Sequence, residues 1–159
     1  MHRSFSVQRI VKWIALAFVL NLAWEIAQLP LYTLAEEGDY ARIARYVLHC
    51  TLGDVLIATT TFFAPVLVWR RLDWYRVQPL AGGTMIIVLA LSYTAGSELF
   101  NVYRRGAWAY APSMPTVAGI GLAPLLQWIV VPGLMVLVMC RDESRRRSGP
   151  RSYRPKHLP

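Results

Sequence analysis

Four long runs of apolar residues dominate the chain, at residues 11–33, 46–69, 80–103 and 117–140. A helix rises about 1.5 Å per residue, so about 20 residues cross the roughly 30 Å hydrocarbon core of a bilayer. All four runs reach that length. The pattern predicts an all-α, polytopic membrane protein: residues 1–140 would form an antiparallel bundle of four transmembrane helices.

Six polar side chains lie inside these apolar runs, and the direction of each span places all of them toward the same side of the membrane. They are Glu25, Gln28, His49, Asp54, Glu98 and Asn101. Because ionisable groups in a bilayer are costly, they usually face a shared interior site rather than lipid. Spacings of three and four residues also keep such groups on one helix face. We therefore expect a polar pocket near one end of the bundle.

Basic residues are distributed unequally between the two sides. Of the 17 Lys and Arg, 13 fall in residues 1–12, 70–79 and 141–159, and the other four fall in the two opposite connections. Cytoplasmic segments carry such an excess. We therefore predict a bacterial inner-membrane protein with both termini cytoplasmic and a pocket that opens outward. The pI of 10.0 follows from this bias, so no nucleic-acid partner is needed to explain it.

Composition supports a membrane protein over a soluble domain. The chain is 55% hydrophobic and only 16% charged, with a mean hydropathy of +0.36. Glu25 and the length of the first run argue against a cleaved signal peptide, so we expect this span to be retained. Residues 141–159 are rich in Arg, Ser and Pro, which predicts a basic, disordered cytoplasmic tail lying against anionic membrane lipid.

Three carboxylic acids in one apolar pocket would be costly to ionise together, so at least one proton is expected to remain. A retained proton suits general acid/base catalysis or proton-coupled movement. The sequence identifies no cofactor. The catalytic candidates are Glu25, Glu98, His49 and Asp54, and the substrate-binding candidates are Gln28, Asn101, Arg105, Trp108, Tyr110 and Gln127.

Other interpretations of these residues remain open. Glu25 and Glu98 would serve packing alone if they paired with Arg105 or with the amides. The acids and His49 are acceptable metal ligands, but no helix carries a recognised ligand spacing, and we predict no metal site. The loop at residues 104–116 is either a lid over the pocket or an ordinary interfacial connection.

Three strings resemble a small bacterial family of four-span integral membrane proteins: AWEIAQLPLY at 23–32, GAWAY at 106–110 with Met114-Pro115, and GIGLAPLLQW at 119–128. The resemblance covers residues 23–132 and brings no assigned catalytic residue. A fainter likeness is to membrane proteins of carotenoid biosynthesis, including lycopene cyclase domains. These combine intramembrane acids with a Gly-aromatic-x-Tyr stretch, although their Pro-Glu pair is absent here.

The leading hypothesis is acid/base chemistry on a lipid or isoprenoid ligand. Glu98 and Glu25 would act as acid and base, while Asp54 and His49 would tune them. A small proton- or metal-linked transporter is the main alternative, because a shared proton serves transport equally well. A non-catalytic accessory subunit of a membrane complex is the third.

Overall fold

Four long helices build the molecule, as the sequence predicts. The computed structural model describes residues 2–36 and 38–148, with side chains for residues 7–36 and 38–142. The all-α class is confirmed, and four helices are long and apolar enough to cross a membrane, as expected of a multi-pass membrane protein. The helices are α1 (His2–Gln28), α2 (Tyr40–Trp69), the short α3 (Trp74–Val77), α4 (Pro79–Leu99) and α5 (Leu122–Ser148).

The two ends of the bundle differ in their connections. The distal end, residues 29–39 and 100–121, carries two 3-10 turns (Leu29–Leu31 and Thr33–Glu36), a π-helical segment (Phe100–Arg105) and a small antiparallel hairpin. The hairpin pairs β1 (Thr116–Val117) with β2 (Ile120–Gly121). The proximal end, residues 7–12, 70–78 and 141–148, carries α3 and the terminal turns of α1 and α5.

Local sequence signals explain where the helices begin and end. α1 stops at Gln28 and passes into the 3-10 turn Leu29–Leu31, because Pro30 has no backbone N–H with which to continue the α-helix. Asp39 caps α2, its side chain accepting a hydrogen bond from the backbone N–H of Arg42 at 3.0 Å. α2 therefore starts at Tyr40, six residues before the predicted start of the second span. α4 begins at Pro79, a favoured residue for the first helical position.

The predicted start of the fourth span at residue 117 is wrong. Ala118 and Gly119 have left-handed backbone, with φ of 51° and 81°, and they turn the chain into the β1–β2 hairpin. α5 begins only at Leu122. A span over residues 117–140 would place Gln127 near its middle. In the structure Gln127 lies in the second turn of α5, at the level of Asp54, to which it donates a hydrogen bond.

The proximal end of α5 also differs from the sequence prediction. The helix continues to Ser148, so the first eight residues of the predicted disordered tail are helical. Residues 149–159, the rest of that tail, lie outside the described residues. Near this end, Lys12 Nζ and Asp142 Oδ2 form a salt bridge of 2.7 Å that joins α1 to α5. The basic run thus starts on a helix that is anchored to the bundle.

Aromatic side chains fill the proximal half of the bundle. The Trp13 and Phe62 ring centroids are 4.8 Å apart, and the Phe62 and Trp74 centroids are 5.8 Å apart. Trp74 and Tyr75, on the short α3, are fully buried. Trp13 also donates a hydrogen bond of 3.0 Å from Nε1 to the carbonyl of Ala58. This half of the bundle is closely filled by apolar groups.

Candidate functional site

A cavity of about 940 Å³ lies between the helices and reaches the distal end. Its walls include side chains from α1, α2, α4 and α5, so all four spans contribute. Nine of the ten candidate residues line it: Glu25, Gln28, His49, Asp54, Glu98, Asn101, Arg105, Trp108 and Gln127. Tyr110 is the exception, and it reaches the cavity wall through a hydrogen bond to Glu98.

Two carboxyl groups meet on one side of this cavity. Glu25 of α1 and Asp54 of α2 are neighbours in the cavity wall. Gln28 Nε2 donates to Glu25 Oε1 at 2.7 Å, and Gln127 Nε2 donates to Asp54 Oδ2 at 2.8 Å. Two neighbouring carboxyl groups in an apolar site are costly to ionise together. This arrangement therefore favours the retention of one proton beside the cavity.

Buried partners fix the orientation of both amides. Trp24 Nε1 donates to Gln28 Oε1 at 3.1 Å, which directs the Gln28 amino group toward Glu25. Asn21 donates to the Ala17 carbonyl at 2.8 Å and accepts from Gln127 Nε2 at 2.8 Å. Since Asn21 is fully buried, the Gln127 amino group is held between Asn21 and Asp54. α1, α2 and α5 thus hold the acid pair in one geometry.

Glu98 of α4 has a different environment. Its Oε2 accepts hydrogen bonds from Tyr110 Oη at 2.5 Å and from Trp108 Nε1 at 3.4 Å. Burial, and after it the hydrogen bond to Glu98, raises the pKa of Tyr110 above its ordinary value, so the phenol stays a donor. None of the described residues donates a hydrogen bond to Oε1 of Glu98. That oxygen is left available to a molecule in the cavity.

Glu98 and Arg105 do not pair, so the packing role that depends on this ion pair is not present. Arg105 Nη1 instead lies 3.5 Å from Asn101 Oδ1, and Asn101 Nδ2 donates to the carbonyl of Ser97 at 2.9 Å. The π-helical turn at Phe100–Arg105 carries Arg105 toward the exposed rim. The salt bridges among the described residues all lie at the proximal end, away from the three acids.

The loop after the π-helical turn folds across the distal end. Thr33 donates its backbone N–H to the Ala109 carbonyl at 3.1 Å, and Ala111 donates to the Leu31 carbonyl at 2.9 Å. Tyr46 of α2 donates a hydrogen bond from its hydroxyl to the Ala107 carbonyl. These contacts join the loop to the α1–α2 connection and bring Trp108 and Tyr110 over Glu98.

The rim of the cavity is basic and exposed. Arg42, Arg45 and His49 of α2 line it from one side, and Arg105 lines it from the other. The residues predicted from the sequence include His49 and Arg105 but not the two α2 arginines, or the wall residues Tyr46 and Cys50. Tyr46, Cys50 and Asp54 are spaced four residues apart, which places them on one face of α2, so this spacing could have identified Tyr46 and Cys50 as wall residues. Among the described residues, no group of three or more His, Cys, Asp and Glu side chains is arranged to hold a metal ion.

No protein-family model, curated protein or solved structure matches this chain. A fold class such as a helical bundle hosts many unrelated activities, so it does not specify one. The chemistry of the cavity is therefore the basis for assigning a function.

Proposed function

We propose that the protein is an inner-membrane enzyme that performs acid/base chemistry on a lipid or isoprenoid within this cavity. The observation that supports it is that one cavity holds carboxyl groups in two environments: Glu25 and Asp54 bond to the amides of Gln28 and Gln127, whereas Glu98 accepts from Tyr110. Acid/base catalysis needs one group that gives a proton and another that takes one. The environment of Glu25 and Asp54 and the environment of Glu98 differ, so they can supply a proton donor and a proton acceptor.

The roles follow from the hydrogen bonds. Glu98 is the base, because Tyr110 and Trp108 both donate to Oε2 and leave Oε1 free to accept a proton from the substrate. Glu25 is the acid, and Asp54 shares its proton. A proton taken from one carbon and another returned elsewhere suit an isomerisation such as movement of a double bond. His49 is exposed at the rim of the same cavity.

The test is conversion of lipid by the purified protein. The full chain is reconstituted in vesicles of the expression host's membrane lipids, and the lipids are compared by mass spectrometry before and after incubation. We expect a new species with wild type and at least about a 100-fold slower appearance with Glu25→Gln. Glu36→Gln is the matched control, because Glu36 is an exposed acid of the distal end outside the cavity.

The same vesicles test the transporter. A carrier needs a polar path to both faces, whereas the proximal half here is filled by Trp13, Phe62 and Trp74. The enzyme proposal would give way to a transporter if the wild type conducts protons, Glu25→Gln abolishes this flux, and no lipid is converted. Neither flux nor conversion would leave the accessory subunit as the better proposal.

The outward direction of the cavity rests on the distribution of basic residues. Because 13 of the 17 Lys and Arg lie in the proximal connections and terminal segments, we expect the proximal end and both termini to be cytoplasmic. A fluorescent reporter fused after Pro159 should mature in the cytoplasm, whereas a phosphatase fused there should stay inactive. An active phosphatase would reverse the topology and open the cavity to the cytoplasm.

A further inference from the structure

The cavity is also open sideways, between α2 and α4. Along α4 and the π-helical segment after it, lining positions recur every four residues, from Leu89 through Tyr93 to Arg105. Leu89 and Tyr93 are 42% and 60% exposed, and Leu56 of α2 is 65% exposed. The side chains that line the cavity are thus also part of the surface that faces the bilayer. A molecule can enter from the membrane without crossing the distal loop.

The groove is long enough to hold a lipid of one leaflet. Its lining on α2 runs from Arg42 to Ala64, which at about 1.5 Å per residue is about 33 Å. One leaflet, with its headgroup region, is about 20 Å thick. The deeper lining is apolar or carries only hydroxyl groups, as at Ile57, Thr60 and Leu89. A chain therefore fits the deep part and a headgroup fits the rim.

The charge at the rim specifies the headgroup. Arg42 and Arg45 of α2 and Arg105 of the π-helical turn line the distal part of the same cavity, together with His49. The planar guanidinium group binds phosphate oxygens through two parallel hydrogen bonds. These arginines lie at the distal end, where lipid phosphates are found in a bilayer. The rim is therefore complementary to an anionic headgroup.

We propose that the groove binds a phosphate-bearing anionic lipid, with its phosphate at Arg45 and Arg105 and one chain between α2 and α4. This deepens the proposed function and rests on it for the ligand's conversion, although not for its binding. Glu98 precedes Arg105 by seven residues, about 10 Å along the helix. The acids therefore meet the carbon chain rather than the phosphate, so the reacting bond lies in the chain.

Binding is measured by native mass spectrometry of the purified full chain. The probes are palmitoyl-oleoyl phosphatidylglycerol, phosphatidylcholine with the same chains, and glycerol phosphate without chains. We expect phosphatidylglycerol to bind best, and Arg45→Gln and Arg105→Gln each to weaken it about 10-fold. Arg104→Gln removes the same charge from a neighbouring exposed position outside the groove, and its affinity should stay within about 2-fold.

A second pair of variants tests the chain's position independently of charge. Gly53 of α2 lines the groove with no atom within 4 Å of an added Cβ, so Gly53→Trp places a ring in the groove. Gly133 of α5 has equal space outside it, so Gly133→Trp is the control. We expect only Gly53→Trp to lose phosphatidylglycerol.

Several outcomes overturn the proposal. If phosphatidylcholine binds as well as phosphatidylglycerol, the arginines do not select an anionic headgroup. If glycerol phosphate binds as well, the lipid chain does not contribute to binding in the groove. Retention of lipid by Gly53→Trp places the chain elsewhere. Glu98→Gln separates this proposal from the proposed function, because it should keep binding while losing conversion. Lipid conversion without preference for anionic lipid would retain the enzyme and reject only this ligand.

Discussion

Glu98→Gln is expected to insert and fold like the wild type while losing at least about 100-fold in lipid conversion. Glutamine keeps the shape of the side chain, and its carbonyl oxygen can still accept from Tyr110 and Trp108. It cannot take up a proton at neutral pH. The measurements are the rate of conversion in vesicles and the melting temperature in detergent.

The partners of Glu98 make this prediction specific. Its hydrogen bonds come from neutral donors, so no cation is left unpaired when the charge is removed. Tyr110→Phe removes one donor and keeps the proton-accepting carboxyl, so we expect a smaller loss of rate than with Glu98→Gln. Glu36→Gln is again the control, as an exposed acid outside the cavity. Full activity of Glu98→Gln would remove Glu98 as the base, and failure to fold would assign it to structure.

Hydropathy and spacing were sufficient to predict the class of fold and which polar residues come together. A bilayer allows few ways to bury a charged group, so Glu25, Asp54 and Glu98 had to face the interior. Knowing the direction of each span was then enough to place them at one level. The predicted acids line a single cavity for this reason.

The hydrogen-bond partners of these residues could not be predicted from the sequence to the same extent. Asn21 and Gln127 are 106 residues apart, and their hydrogen bond depends on how α1 meets α5. Hydropathy placed Gln127 too deep, because the apolar hairpin before Leu122 has the composition of a helix. The mean hydropathy of this segment does not reveal that Ala118 and Gly119 adopt left-handed backbone conformations.

Tertiary packing also determines where the connection between α2 and α4 lies. This connection contains Trp74 and Tyr75, and aromatic residues between two spans often lie at the membrane interface. Both are instead fully buried. Gly82 explains how Trp74 fits, because a Cβ at residue 82 would lie 2.2 Å from Cε3 of the indole. A close approach between α3 and α4 needs a residue without a side chain there.

Gly82→Ala is therefore expected to destabilise the bundle by about 2 kcal/mol or more. The added methyl group has no room, and the indole of Trp74 cannot move freely. Its ring centroid lies 6.2 Å from that of Trp13 and 5.8 Å from that of Phe62, which surround it in the core. Thermal unfolding in detergent, followed by tryptophan fluorescence, should show a melting temperature lower by several degrees.

Gly83→Ala is the matched control on the same helix. An added Cβ there meets only Val136, at 4.0 Å, so alanine fits and its higher helix propensity should leave stability equal or slightly greater. The two adjacent substitutions add the same methyl group and differ only in what it contacts. Similar melting temperatures for both variants would mean that Trp74 does not occupy this site. A selective loss of stability at Gly82 would establish that Trp74 of α3 packs against α4 at this position.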